Sequence, residues 1–125
     1  LMHTGFYIQG NDAALALVAR QTPPPHDRKA PINPLWNHYA TSDGRWLFLS
    51  MIDSDRYFPK LCAALGRDDL AADERFANAL LRLRNADLTT ALRETFAQKT
   101  LAEWERILDH HALIWSPVRT LAEAI

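Results

Sequence analysis

One cysteine, four glycines, no basic block and no apolar run long enough to cross a bilayer are the scarcities that first narrow this 125-residue sequence. The lone Cys62 excludes an internal disulfide and suits a reducing compartment, so a cytoplasmic location is expected. A net charge of −1 leaves no electrostatic footprint for nucleic acid. Without a spanning segment or a signal-peptide pattern, no membrane partner is expected either. Glycine is too sparse for a phosphate-cradling loop, and neither Gly-x-Ser-x-Gly nor a paired-Cys motif occurs. What is present is an ordinary globular balance, 48% hydrophobic and 23% charged, with four Trp, three Tyr and five Phe to build a core. A chain of this length fits one domain and can bury roughly two-thirds of its unfolded surface. It opens on Leu1 with Met2 behind it, and is read as a fragment of a longer protein.

Five of the seven prolines fall between Gln21 and Pro34, and they divide the chain. Residues 1–20 read as a helical arm, with Asn11 or Asp12 as the cap of a helix from Ala13 to about Arg20. Its Leu15, Leu17 and Val18 do not share one face, so the arm is expected to pack on something other than its own small core. Residues 21–32 read as an extended proline-rich linker in which Arg28 and Lys29 are solvated. Residues 33–125 read as a small α+β domain: a three-stranded antiparallel sheet with helices packed mainly on one side.

The sheet is anchored by a hairpin. Trp36 to Thr41 and Arg45 to Ile52 flank Ser42-Asp43-Gly44, and Asp-Gly tolerates the positive φ of a tight turn. In the first run Trp36, His38 and Ala40 alternate with Asn37, Tyr39 and Thr41, so one set can be buried and the other left partly wet. The second, with Trp46-Leu47-Phe48-Leu49, is apolar at every position and predicts a central strand covered on both faces. Leu113 to Val118 predicts an edge strand beside it, because Pro117 cannot donate to a ladder. Helices are predicted from a cap at Asp53, Ser54 or Asp55 to Gly66, from Asn78 to about Lys99, and from Thr100, where Thr100 and Glu103 form a capping box. Thr120 should cap a terminal helix. Trp46, Phe48, Phe58, Leu61, Leu65, Leu92, Trp104 and Leu108 are the expected core.

Few residues carry a pattern of chemistry. His110 and His111 point about 100° apart on a helix and cannot share a metal. Asp68-Asp69 and Asp73-Glu74 lack a third ligand and read as solvated charges in a polar link. Cys62 lies on a helix face with no basic neighbour and reads as a small core residue. His38 has the chemistry of an acid or base, but in this setting it reads as a packed or surface strand residue.

Several short pieces, in order along about ninety residues, resemble one family. Asn33-Pro34-Leu35, Tyr39 and Thr41-Ser42-Asp43-Gly44-Arg45-Trp46 resemble the hairpin that opens the small domain of the family III CoA-transferases. That family includes formyl-CoA transferase, the carnitine and bile-acid CoA-transferases and α-methylacyl-CoA racemase. Leu65 to Leu70 and Asp73-Glu74-Arg75-Phe76 resemble its link after the first helix. Thr100-Leu101-Ala102-Glu103-Trp104 and Ser116-Pro117-Val118 resemble its last helix and closing strand, and Met2 to Val18 resembles the segment that leads in. In the transferase branch, formyl-CoA transferase in particular, a glycine-rich loop stands where this sequence has prolines.

The resemblance implies a coenzyme A thioester and a carboxylic acid as substrates, with no tightly bound cofactor and no metal. It places the catalytic aspartate and most CoA contacts in a large domain that this chain does not include, so no catalytic residue is assigned here. Asn33, Pro34, Leu35 and Asn37 are carried over as contributors to the acyl-side wall. The chain's partners would be that large domain and a second copy in a homodimer, and the chain alone would be inactive. Racemisation of an acyl-CoA is the alternative within the family. A stand-alone protein-interaction module is the alternative outside it.

Overall fold

A computed structural model describes residues 10–20 and 25–124. Phe6, Tyr7 and Ile8 of the expected arm, and Pro23 and Pro24 of the linker, lie outside the described residues.

The hairpin forms where Asp43-Gly44 places it. Gly44 takes φ +73°, its N–H donates to the Thr41 carbonyl at 3.1 Å, and the Thr41 N–H donates to the Arg45 carbonyl at 2.9 Å. This is a three-residue loop with glycine in its left-handed position. It joins β1 (Trp36–Ala40) to β2 (Trp46–Ser50), paired so that Asn37 faces Leu49 and Tyr39 faces Leu47. The closing strand β3 (Trp115–Pro117) pairs antiparallel on the far side of β2, giving the order β1-β2-β3. The sheet is therefore the expected one, with the all-apolar run at its centre.

Coverage of that central strand differs from expectation. Leu47 and Leu49 are fully buried, whereas Trp46 and Phe48 are half-buried. The core lies on the Leu47–Leu49 face, while on the other face Trp46 meets Arg28 of the linker and Phe48 meets Trp36 and His38. On β1 the buried set is Asn37 and Tyr39, continued by Thr41; Trp36 remains 49% exposed.

α1 (Gly10–Ala19) starts before the expected caps Asn11 and Asp12, and its Leu17 and Val18 are exposed. After the sheet, α2 (Ser54–Leu65) ends at Gly66, whose φ of +65° allows the closing bonds from Gly66 and Arg67 N–H groups to the carbonyls of Ala63 and Cys62. Its cap is Asp53, one of the three expected, and Pro59 is its sixth residue, two positions deeper than a cap at Asp55 would place it. Leu65 is only partly buried, another departure from the expected core. The link after it is not all loop: α3 (Asp68–Ala72) and a 3-10 turn at Glu74–Phe76 seat Leu70 and Phe76 in the core.

The helix expected over 78–99 is two helices. Asn78 Oδ1 accepts from Leu81 N–H and starts α4 (Ala79–Arg82), which is one turn long. Arg84 then turns left-handed at φ +54°, and Asn85 Oδ1 accepts from Leu88 N–H to start α5 (Ala86–Phe96). The asparagine cap provides a second start, so the helix is broken rather than continued. In α4 the break leaves Leu81 exposed and Arg82 2% exposed.

α6 (Leu101–His110) begins with the expected capping box: Thr100 Oγ1 accepts from Glu103 N–H and Glu103 Oε2 accepts from Thr100 N–H at 2.8 Å. Asp43 of the hairpin loop also accepts from Leu101 N–H, tying sheet to helix. Thr120 and Glu123 hydrogen-bond at the start of α7 (Leu121–Ala124). The core runs from Leu47 and Leu49 through Leu61, Leu88, Leu92 and Leu108. Each such side chain contributes about 1.5–3 kcal/mol by leaving water. Tyr39 stacks on Phe96 at 5.1 Å, Phe96 meets Trp104 edge-on at 5.1 Å, and Trp104 Nε1 donates to the Phe96 carbonyl. The result is an α+β domain with a three-stranded antiparallel sheet.

Candidate functional site

The residues carried over from the resemblance lie where the linker enters β1. Asn33 Oδ1 accepts from Leu35 N–H at 2.9 Å, an Asx turn that bends the chain into the strand. Pro34 is buried, and its carbonyl accepts from the Tyr39 hydroxyl at 2.7 Å. Burial of that phenol pushes its pKa up. Leu35 is in the core, and its carbonyl accepts from Met51 N–H. Asn37, also fully buried, spends both ends of its amide on the linker. Oδ1 accepts from His26 Nε2 at 2.8 Å, and Nδ2 donates to the Arg28 carbonyl at 3.1 Å. The four sequence candidates, within five residues of one another, therefore lie at one place, a corner at which linker, strand and core are joined.

The linker is not extended there. Asp27 closes a turn, its carboxylate accepting from Lys29 N–H and its carbonyl from Ala30 N–H. Arg28, expected to be simply solvated, lays its guanidinium 4.5 Å from the Trp46 ring centre on the open sheet face. Such a stack is worth about 0.5–1 kcal/mol at an exposed site and holds a planar donor fork in one place. Beside it His38 packs 4.6 Å from the Phe48 ring and 5.9 Å from His26. Burial, helped by His26 and Arg28, holds His38 below the ordinary imidazole value.

Arg28 separates two hollows over this face. One, of about 410 Å³, reaches from the 27–29 turn across His38, Ala40 and Trp46 to Thr90, Arg93, Glu94 and Ala97 of α5. The other, of similar size, lies between His26, Arg28, His38, Trp46 and Val118. The contribution of α5 was not singled out from sequence, though a signal was there: positions 90, 93, 94 and 97 recur at the spacing of one helical face.

The remaining candidates lie elsewhere. Cys62 is in the core, and burial pushes its thiol up to about 11. His110 and His111 meet edge-on at 5.3 Å at the end of α6. Asp69 pairs with Arg67, and Asp73 with Arg75, both at the surface. Among the described residues no group of three or more His, Cys, Asp or Glu is arranged to hold a metal ion. No helix among them is long and apolar enough to cross a membrane.

Residues 1–125 match the family model of CoA-transferase family III over their whole length. The chain belongs to CoA-transferase family III. It is 27% identical over 126 residues to the (R)-2-hydroxy-4-methylpentanoate CoA-transferase of Clostridioides difficile, an alignment covering all of this chain and 31% of that protein. It is 33% identical over 67 residues to the β subunit of the succinyl-CoA–L-malate CoA-transferase of Chloroflexus aurantiacus, covering 53% of this chain and 16% of the relative. The crystal structure of a CaiB/BaiF family protein from Brucella suis superposes with a TM-score of 0.77 at 29% identity, over 91% of this chain and 30% of that one. This family III chain thus spans about a third or less of the length of the relatives it matches.

Proposed function

We propose that this chain serves as the small domain of a family III CoA-transferase, working with a large domain of the same protein in CoA exchange between an acyl-CoA and a carboxylic acid. The observation that carries the reading is the match of every residue to the family while relatives run about three times longer. Both curated relatives are named as transferases, which favours transfer over racemisation. In this reading residues 1–20 pack with the large domain, 21–32 link the two, and 33–125 shape the acyl side of the active site through the Asn33–Asn37 corner. A CoA thioester is substrate rather than resident cofactor, the enzyme works as a cytoplasmic homodimer, and the catalytic carboxylate lies outside these 125 residues.

Forming an acyl anhydride and then a thioester needs a carboxylate nucleophile beside donors for the developing oxyanion. Asp43, Asp69, Asp73, Glu103 and Glu123 each hydrogen-bond to a neighbouring side chain at the surface, an arrangement that suits structure rather than attack. The test is intact-mass spectrometry of the protein encoded by the whole reading frame, after incubation with acyl-CoA. A covalent aspartyl–CoA adduct is expected on a residue outside this segment. An adduct on one of this chain's own carboxylates, or CoA exchange catalysed by this chain alone, overturns the assignment.

A further inference from the structure

The hollow between the 27–29 turn and α5 collects charge that the fold leaves unused. Ion pairs among the described residues engage Arg45, Arg67, Arg75 and Arg82, not Arg28, Lys29 or Arg93. Those three cations line the hollow against two carboxylates, Asp27 and Glu94, and so leave one net positive charge while His38 is neutral. Burial keeps His38 in that neutral form near pH 7. The Asp27 carboxylate is already committed to Lys29 N–H.

Arg28 is also set in advance. Its carbonyl is fixed by Asn37 and its guanidinium by Trp46, so little freedom remains to be lost when a ligand meets the fork. Of the other walls Ala40, Ala97 and Trp46 are apolar, and Thr90 adds one hydroxyl. A volume of about 410 Å³ falls within the span of small-molecule sites.

We propose that this hollow binds a small organic monocarboxylate, its carboxylate on Arg28 and Arg93 and its apolar body against Trp46, Ala40 and Ala97. One negative charge balances the lining; a dianion such as phosphate overcompensates it and leaves the apolar wall wet. For its ligand class the inference rests on the CoA-transfer reading, whose acid substrate is a carboxylate, and it adds the place that holds one; it is measured by binding, so that its failure and the failure of that reading are separate results.

The test is a titration of the 15N-labelled 125-residue chain with 4-methylpentanoate, following the Trp46 indole N–H and the His38 ring signals by NMR. Sodium chloride at matched ionic strength, succinate, inorganic phosphate and the neutral 4-methylpentan-1-ol are run beside it. A saturable shift with 4-methylpentanoate alone is expected, weakened about tenfold or more by Arg93→Gln and by Arg28→Gln, as loss of a charge-assisted bond requires. Arg93 is exposed and outside every ion pair among the described residues, so its variant tests the site even where Arg28→Gln disturbs the turn. The proposal is overturned by a shift that does not saturate, by equal binding in Arg93→Gln, by equal binding of the alcohol, or by tighter binding of succinate or phosphate.

Discussion

Removing the Arg82 guanidinium should destabilise the domain far more than removing its anionic partner. Arg82 is 2% exposed, and its Nε donates to Ser54 Oγ at 3.0 Å while Nη1 donates to the Phe76 carbonyl at 2.6 Å. A third bond goes to Asp55, and the guanidinium lies 4.5 Å from the Phe58 ring centre. One side chain therefore joins the first turn of α2, the 3-10 turn and α4. In Arg82→Met the stem volume is largely kept, but two buried acceptors lose their donor. At about 1–2 kcal/mol for each, plus about 1 kcal/mol for the lost ring contact, the loss is about 3–5 kcal/mol. Asp55 has a side chain 62% exposed, so in Asp55→Ala water can take the place of the carboxylate at Arg82 Nη2, and the loss should be only about 1 kcal/mol. Arg82→Lys keeps the charge without the planar fork and should fall between them. Urea unfolding followed by tryptophan fluorescence reads all three variants. A loss below about 1 kcal/mol in Arg82→Met, or a larger loss in Asp55→Ala than in Arg82→Met, would refute the reasoning, because the guanidinium's bonds to the neutral acceptors at Ser54 and Phe76 would then be carrying nothing.

Thr100→Ala removes the capping hydroxyl of α6 and should cost about 1 kcal/mol, seen as a lower urea midpoint with an unchanged slope. Asp43, Asp69, Asp73, Glu103 and Glu123 all have pKa values lowered chiefly by hydrogen bonds from neighbours. Their stabilising effect is complete above the unfolded carboxylate range, near pH 4–4.5, and is lost as pH falls through the folded values. The lowered His38 imidazole separately costs stability as pH falls below about 6.5, so the carboxylates are read in a His38→Gln background, where a midpoint already declining between pH 7 and 5 contradicts this. Cys62, buried and raised to about 11, should react with a thiol reagent at pH 8 only at the rate of unfolding, and prompt labelling of the native chain would place it at the surface. Gly66→Ala meets open space but must hold φ +65°, so about 1 kcal/mol should be lost through the backbone alone.

The hairpin was legible because its determinants are local: a glycine in the loop, alternation on β1 and an unbroken apolar run on β2. The capping box of α6 was legible for the same reason, its two partners lying three residues apart. What sequence reading missed depends on what covers what. Trp46 and Phe48 look like core in the chain, and they are half-exposed because the core lies on the opposite, Leu47–Leu49 face of the sheet. The break at Arg84 was hidden by a periodicity that continues across it, although Asn85 carried a cap signal. Arg82 could not be placed from the chain, since its acceptors Ser54 and Asp55 lie 28 and 27 residues away. At the site, the Asn33–Asn37 stretch was found by resemblance, while the stack of Arg28 on Trp46 and the approach of α5 arise only from the folded linker.

The amide of Asn37 has no second way to sit. His26 presents a donor to Oδ1 and the Arg28 carbonyl presents an acceptor to Nδ2, so a flipped amide would set carbonyl against carbonyl. The same arrangement selects the His26 tautomer with hydrogen on Nε2. Carboxylate in place of amide is another matter: Asn37→Asp keeps the bond to histidine but brings an anionic oxygen to the Arg28 carbonyl, turning a two-sided clasp into a one-sided one. The strand would then hold the linker by its histidine alone, and the turn bearing Arg28 would be free to choose its own distance from the sheet.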